Sequence, residues 1–181
     1  MEYNIKTVKK EDIVAINPIK ASKWCALPYP RHKAGCPNYN ICKNSERHKK
    51  RFEDLFDNTK PMYLTWVEFD VEEQEKNMKK RHKTWSRAQC RNLLYWQKKV
   101  DNTLFMDAYK IVEIKNLKHY QMLGEGYGLN MYKICNNVGL KLEPIKNIKI
   151  VRKVLLLVKR KGKTEKEKIQ HLPKNKKEVK I

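Results

Sequence analysis

The sequence predicts an α+β domain: a small mixed sheet packed by two or three helices, with an irregular cysteine loop near the N-terminus. Three segments carry that expectation. Residues 62–69, MYLTWVEF, are rich in aromatic and β-branched side chains and read as a strand. Leu93, Trp96, Val100, Leu104, Ala108 and Val112 recur at the three- and four-residue spacing of one buried helical face. Residues 148–158, IKIVRKVLLLV, form an apolar run of the length of a buried strand.

Taken in order, the first twenty residues offer only 13–16 as a short strand, closed by Pro18. Residues 21–50 change texture to Trp, Cys, Pro, His and Gly, with neither strand nor helix period. So long a loop is uncommon in a compact domain and needs something other than an apolar face to fix its shape. A bound metal supplies that. Pro61 fits the start of the 62–69 strand, and Asp70 opens a helix with Glu73 at capping-box spacing, ending near 81–83. Ser86 and Gln89 repeat the spacing and begin the long periodic helix. Residues 124–128 are a glycine loop leading into a short helix over 129–138, and Gly139 stands where a left-handed cap belongs. The domain is expected to span 1–158, because 159–181 has too few apolar residues to fold alone.

The chain is strongly basic: 41 Lys and Arg oppose 20 Asp and Glu, a formal charge of +21. The tail 159–181 holds ten Lys or Arg and three Glu, so it carries +7 and the preceding residues keep +14. A field of that sign draws phosphate polymers, and RNA is the favoured partner. A coding bias toward Lys, Asn and Ile produces the same composition. No apolar run approaches the ~20 residues of a membrane helix, and the N-terminus lacks the apolar stretch of a secretory signal. Five cysteines at these spacings do not suggest a secreted disulfide scaffold. The expectation is a cytoplasmic protein with reduced thiols and no membrane partner.

Cys25, Cys36 and Cys42 lie within eighteen residues of one another, among Pro28, Pro30, Gly35 and Pro37. Three close thiolates in a polar, turn-rich segment suit one metal better than burial in an apolar core. Paired short C-x2–4-C spacing, usual for structural zinc, is missing. Iron–sulfur clusters accept more varied spacings, and Cys36-Pro37 is a familiar neighbour of them. An iron–sulfur cluster is therefore favoured, with zinc as the alternative. The fourth position falls to His32, His48, Cys90 or Cys135, or stays open to a small molecule. Cys90 and Cys135 also read as packing residues of their helices.

CPNYNIC after WCALPYP, then YLTWVEFD, WSRAQCRNLLYWQ and GEGYGLNMYKICNNVGLKLEP together resemble a family of uncharacterised bacterial and archaeal proteins described as predicted metal-binding proteins. The family has a Cys-rich N-terminal motif, and the resemblance runs over about residues 24–158. It is most specific at Cys25, Cys36, Pro37, Tyr39 and Cys42, and at Glu125, Gly128, Asn130 and Gly139. It implies a metal, an iron–sulfur cluster, on Cys25, Cys36 and Cys42, and no known reaction. Larger members carry further cysteines toward mid-chain; residues 116–126 here have none, and the third cysteine is followed by Lys43-Asn44 where a CPP-like ending belongs.

Two other segments bear on function. Lys79, Lys80, Arg81, His82 and Lys83, continued by Arg87 and Arg91, form a basic run beside Trp85 and Tyr95. Rings interleaved with cations are what single-stranded nucleic acid stacks on, although a solvated helix face has the same composition. Gly124, Gly126 and Gly128 match neither a dinucleotide fingerprint nor a P-loop, no clear strand precedes them, and a plain turn is the simpler reading. Glu125 within that turn is a general acid or base only if it faces the metal.

Overall fold

A computed structural model of the chain describes residues 3–17, 20, 23, 25–28, 33–37, 39, 49–144 and 148–162. Its framework is a four-stranded sheet of β1 (Ile5–Val8), β2 (Met62–Asp70), β3 (Tyr120–Leu123) and β4 (Ile150–Lys159), in the spatial order β1-β2-β4-β3. Helices pack on it, so the class is α+β as expected. The sheet, expected to be mixed, is antiparallel at every pairing. Its two flanking strands were not legible in the sequence, because four residues are too few to establish an alternation. The 13–16 segment, expected as a strand, makes only an isolated bridge from Ala15 to Leu129.

The central pair, β2 and β4, is in register from Tyr63 opposite Leu157 to Asp70 opposite Ile150. Side chains alternate between the two faces of a sheet. Met62, Leu64 and Trp66 therefore join Val154, Leu156 and Val158 on one face, while Tyr63, Val67 and Phe69 join Val151, Leu155 and Leu157 on the other. Both faces are covered, which is why four consecutive residues of β4, 155–158, are all buried.

On the first face lie α1 (Phe52–Leu55) with Phe56, α5 (Met131–Asn137), Leu129 and Leu140. Phe56 rests edge-on against Tyr127, with ring centroids 5.4 Å apart. The second face takes α4 (Gln97–Ile114), through Val100, Leu104, Ala108 and Ile111, and the start of α2 (Val71–Arg81) through Val71.

Local signals place most helix ends. The Asp70 carboxylate accepts from the Glu73 amide at 2.8 Å, opening α2. At α5 the Asn130 side chain accepts from the Lys133 amide. That helix ends in a Schellman arrangement: Leu140 N–H donates to the Cys135 carbonyl and Gly139 N–H to that of Asn136, with Gly139 at φ +71°. Lys6 Nζ donates to the freed carbonyls of Val138 and Gly139.

The long helix departs from expectation. Ser86 and Gln89 form their capping box, but it opens only the single turn α3 (Arg87–Cys90). Asn92 then accepts from the Leu94 amide through its side chain, starting a 3-10 turn over Leu93–Tyr95 in place of a continued helix. Helix α4 begins after it. Leu93 is consequently exposed, and Ile111 is fully enclosed while Val112 is only partly so.

Candidate functional site

The cysteine segment brings two of its three thiol residues together. The Cys36 amide donates to the Cys25 carbonyl at 2.6 Å, closing the intervening loop so that a cysteine stands at each end. Gly35 makes the approach possible. It is buried at φ +83°, and a Cβ there would lie 2.4 Å from the Cys25 carbonyl oxygen and 2.7 Å from Ala26. No side chain fits that gap. The chain turns again at once, with Tyr39 N–H donating to the Cys36 carbonyl at 2.9 Å. Cys25 and Cys36 are both half-buried and neither is in a disulfide. Their chemistry fits a thiolate-bound metal. Cys42, His32 and His48 lie outside the described residues. Among the described residues, no group of three or more His, Cys, Asp or Glu side chains is arranged to hold a metal ion.

Cys135 and Cys90 are packing residues. Cys135, on α5, is fully buried in the first-face core, and burial pushes its thiol up to about 11. A thiolate there with no metal beside it would face the desolvation that raises the value. Cys90 is likewise fully enclosed, at the end of α3.

The basic run divides into two groups. Arg87 and Arg91, expected to grip phosphate, both reach the same carboxylate: Arg87 Nε lies 3.2 Å and Arg91 Nη1 2.8 Å from Glu75 Oε2. Arg91 also donates to the Ile148 carbonyl and is largely covered. The Arg91 hydrogen bond, aided by Arg87, holds the Glu75 carboxyl below its usual range. These two arginines tie α3 to α2. Lys79 donates to the Trp85 carbonyl at 2.6 Å, holding the backbone of the turn after α2. Lys80, Arg81 and Lys83 are exposed.

The rings beside this run form a ladder. His82 stacks on Trp85 with centroids 3.9 Å apart and planes 11° from parallel, and Trp85 meets Tyr95 at 5.3 Å. In the same groove Trp96 stacks on Phe69 at 4.6 Å, and Trp96 is buried. Arg81 and Lys99 line the groove in front of these rings, and an adjoining groove along α4 is lined by Lys98, Lys99, Met106 and Lys110. The lysines of α4 were missed in the sequence. Their signal was the outer side of the helix whose inner side is Val100, Leu104, Ala108 and Ile111.

The glycine segment is a 3-10 turn over Glu125–Tyr127 with Glu125 exposed. A strand, β3, does precede it, contrary to expectation. Among the described residues no helix is long and apolar enough to cross a membrane. Comparison of the chain with protein-family models, curated proteins and solved structures returns no match.

Proposed function

We propose that this chain is a metal-binding protein whose centre, an iron–sulfur cluster, is held by the thiolates of Cys25, Cys36 and Cys42. The observation that carries the reading is the backbone contact between Cys25 and Cys36, made possible by Gly35. Two cysteines at the mouth of one closed loop supply half of a four-ligand set, and Cys42 follows within six residues. The resemblance read from the sequence implies the same set, although no family model matches the chain. Cys135, His48 or His32 is the proposed fourth ligand. A cytoplasmic setting keeps such thiols reduced, and the charge of +21 suits redox or sulfur chemistry on a nucleotide or RNA.

Metal and sulfide analysis of protein purified without oxygen tests this, with visible absorption recorded beside Cys36→Ala. Stoichiometric iron and sulfide, lost in the variant, is the expected result. Absence of any metal from a folded wild-type chain overturns the proposal.

A second reading is favoured by the ring ladder of His82, Trp85 and Tyr95. In it the metal is zinc and only shapes the cysteine loop, and the protein is a non-enzymatic nucleic-acid-binding module gripping RNA through its basic surface and tail. Stoichiometric zinc, with unfolding of the segment on chelation, selects it.

A further inference from the structure

We infer that the grooves at the junction of α2 and α4 form a docking site for single-stranded nucleic acid, with a base stacking on Tyr95 at the exposed end of the ring ladder and phosphates lying along Arg81, Lys98, Lys99 and Lys110. The site rests on the nucleic-acid reading above and gives it a location.

Three observations carry it. The first is exposed ring surface. Tyr95 is 52% exposed and Trp85 half-buried, and together with His82 they form one continuous stack. Their surroundings are well tied: Trp96 and Phe69 stack on each other in the same groove, Lys79 holds the Trp85 carbonyl, and Arg87 and Arg91 clamp α3 to Glu75. A platform held this way loses little freedom when a base lands on it.

The second is charge. The two grooves share Tyr95 and Lys99 and so run into each other. Arg81, Lys98, Lys99 and Lys110 line them, and Asp107 is the one carboxylate among the lining residues. An acidic polymer is matched by this surface, and a neutral or basic ligand is not.

The third is shape. Between residues 99 and 110 a helix rises about 16 Å, so the basic track extends beyond a single nucleotide. Duplex bases are already stacked on one another and cannot use the rings, whereas an unpaired strand can. Arg87 and Arg91 both pair with Glu75.

Fluorescence anisotropy with the full chain tests the site. The probes are pyrimidine RNA and DNA strands of about ten nucleotides, within the span such grooves cover, and an RNA duplex of equal length. Single strands are expected to bind more tightly than the duplex. Tyr95→Ala is expected to weaken single-strand binding about tenfold, in line with the loss of one stacked base, and Tyr95→Phe to restore it. Lys98→Glu with Lys99→Glu is expected to weaken binding and flatten its salt dependence. The same double charge reversal at Lys176 and Lys177 in the tail should do less. Failure of the wild type to bind either strand at low salt overturns the nucleic-acid reading together with the site. Binding that is unchanged by Tyr95→Ala and by the Lys98/Lys99 reversal, or that favours the duplex, overturns the site alone.

Discussion

The two faces of the sheet are covered by different means. On one, many short pieces meet: α1, α5, Leu129 and Leu140 each supply a few side chains, held in place by the Asn130 cap, the Gly139 turn and Lys6. On the other, a single helix supplies Val100, Leu104, Ala108 and Ile111 from one side. A helix that buries one side has another left over, and there Lys98, Lys99, Met106 and Lys110 gather. The first face has little to spare, since Phe56, Leu129, Ile134 and Cys135 are all fully enclosed. The lesson is that the α4 layer can carry a binding surface without compromising the core, because the two sets of side chains are separate.

The sharpest way to break this comparison is to cut the core on each face. Leu156→Ala removes a fully buried side chain from the middle of the first face, paired across the sheet with Leu64 and Leu123. It should cost about 3–5 kcal/mol, the upper part of the range for such deletions, read from the denaturant midpoint. Leu104→Ala should cost less, about 2–3 kcal/mol, because α4 is one body and can settle toward the gap. A larger loss from Leu104→Ala than from Leu156→Ala would reverse the comparison.

A smaller effect is expected where the short pieces turn. Gly139→Ala places a Cβ 3.6 Å from Lys6 Nζ, an ordinary contact, so its cost is the left-handed backbone alone. That is about 1–2 kcal/mol, again from the denaturant midpoint. No loss would mean that α5 can end without its Schellman turn.

The smallest effect belongs to the clamp behind the rings. Glu75 is partly exposed, so Glu75→Gln should cost no more than about 1 kcal/mol at neutral pH. The sign follows from the hydrogen bond to Arg91, which depresses the folded-state value of the carboxyl below its ordinary 4.5. The pair therefore stabilises the fold above about pH 4.5 and loses that contribution as pH falls through the folded-state value. Paired urea titrations should show wild type and variant converging in acid. A gap that widens in acid would contradict the assignment of Arg91 to Glu75.

How much of this could be read beforehand depends on range along the chain. Residues 62–70 and 150–159 declare themselves because a central strand needs apolar side chains on both faces, and both segments have them. The Asp70–Glu73 and Ser86–Gln89 spacings are likewise local: the second forms its capping box, and the first forms the Asp70 cap alone. What the capping box could not reveal is how far its helix runs. Asn92, three residues beyond Gln89, takes the Leu94 amide for its own side chain and ends the run. At the candidate sites the same divide holds. Cys25 and Cys36 were evident as a pair by residue type, but their contact depends on Gly35 adopting a conformation that any other residue would resist.

By itself, then, the sequence determined the class of fold, the two central strands, the starts of α2 and α3, the net charge and the cysteines available to a metal. Each depends on interactions within a few residues or on composition alone. Tertiary structure decided the edge strands β1 and β3, which exist only because β2 and β4 offer them hydrogen bonds. It also decided which cations face solvent. Arg91 is claimed by a carboxylate sixteen residues away and by the Ile148 carbonyl, while Lys99 is left in a groove beside Tyr95. A cation's partner is set by distance in space, and the chain's order does not contain that distance until the sheet has brought its ends together.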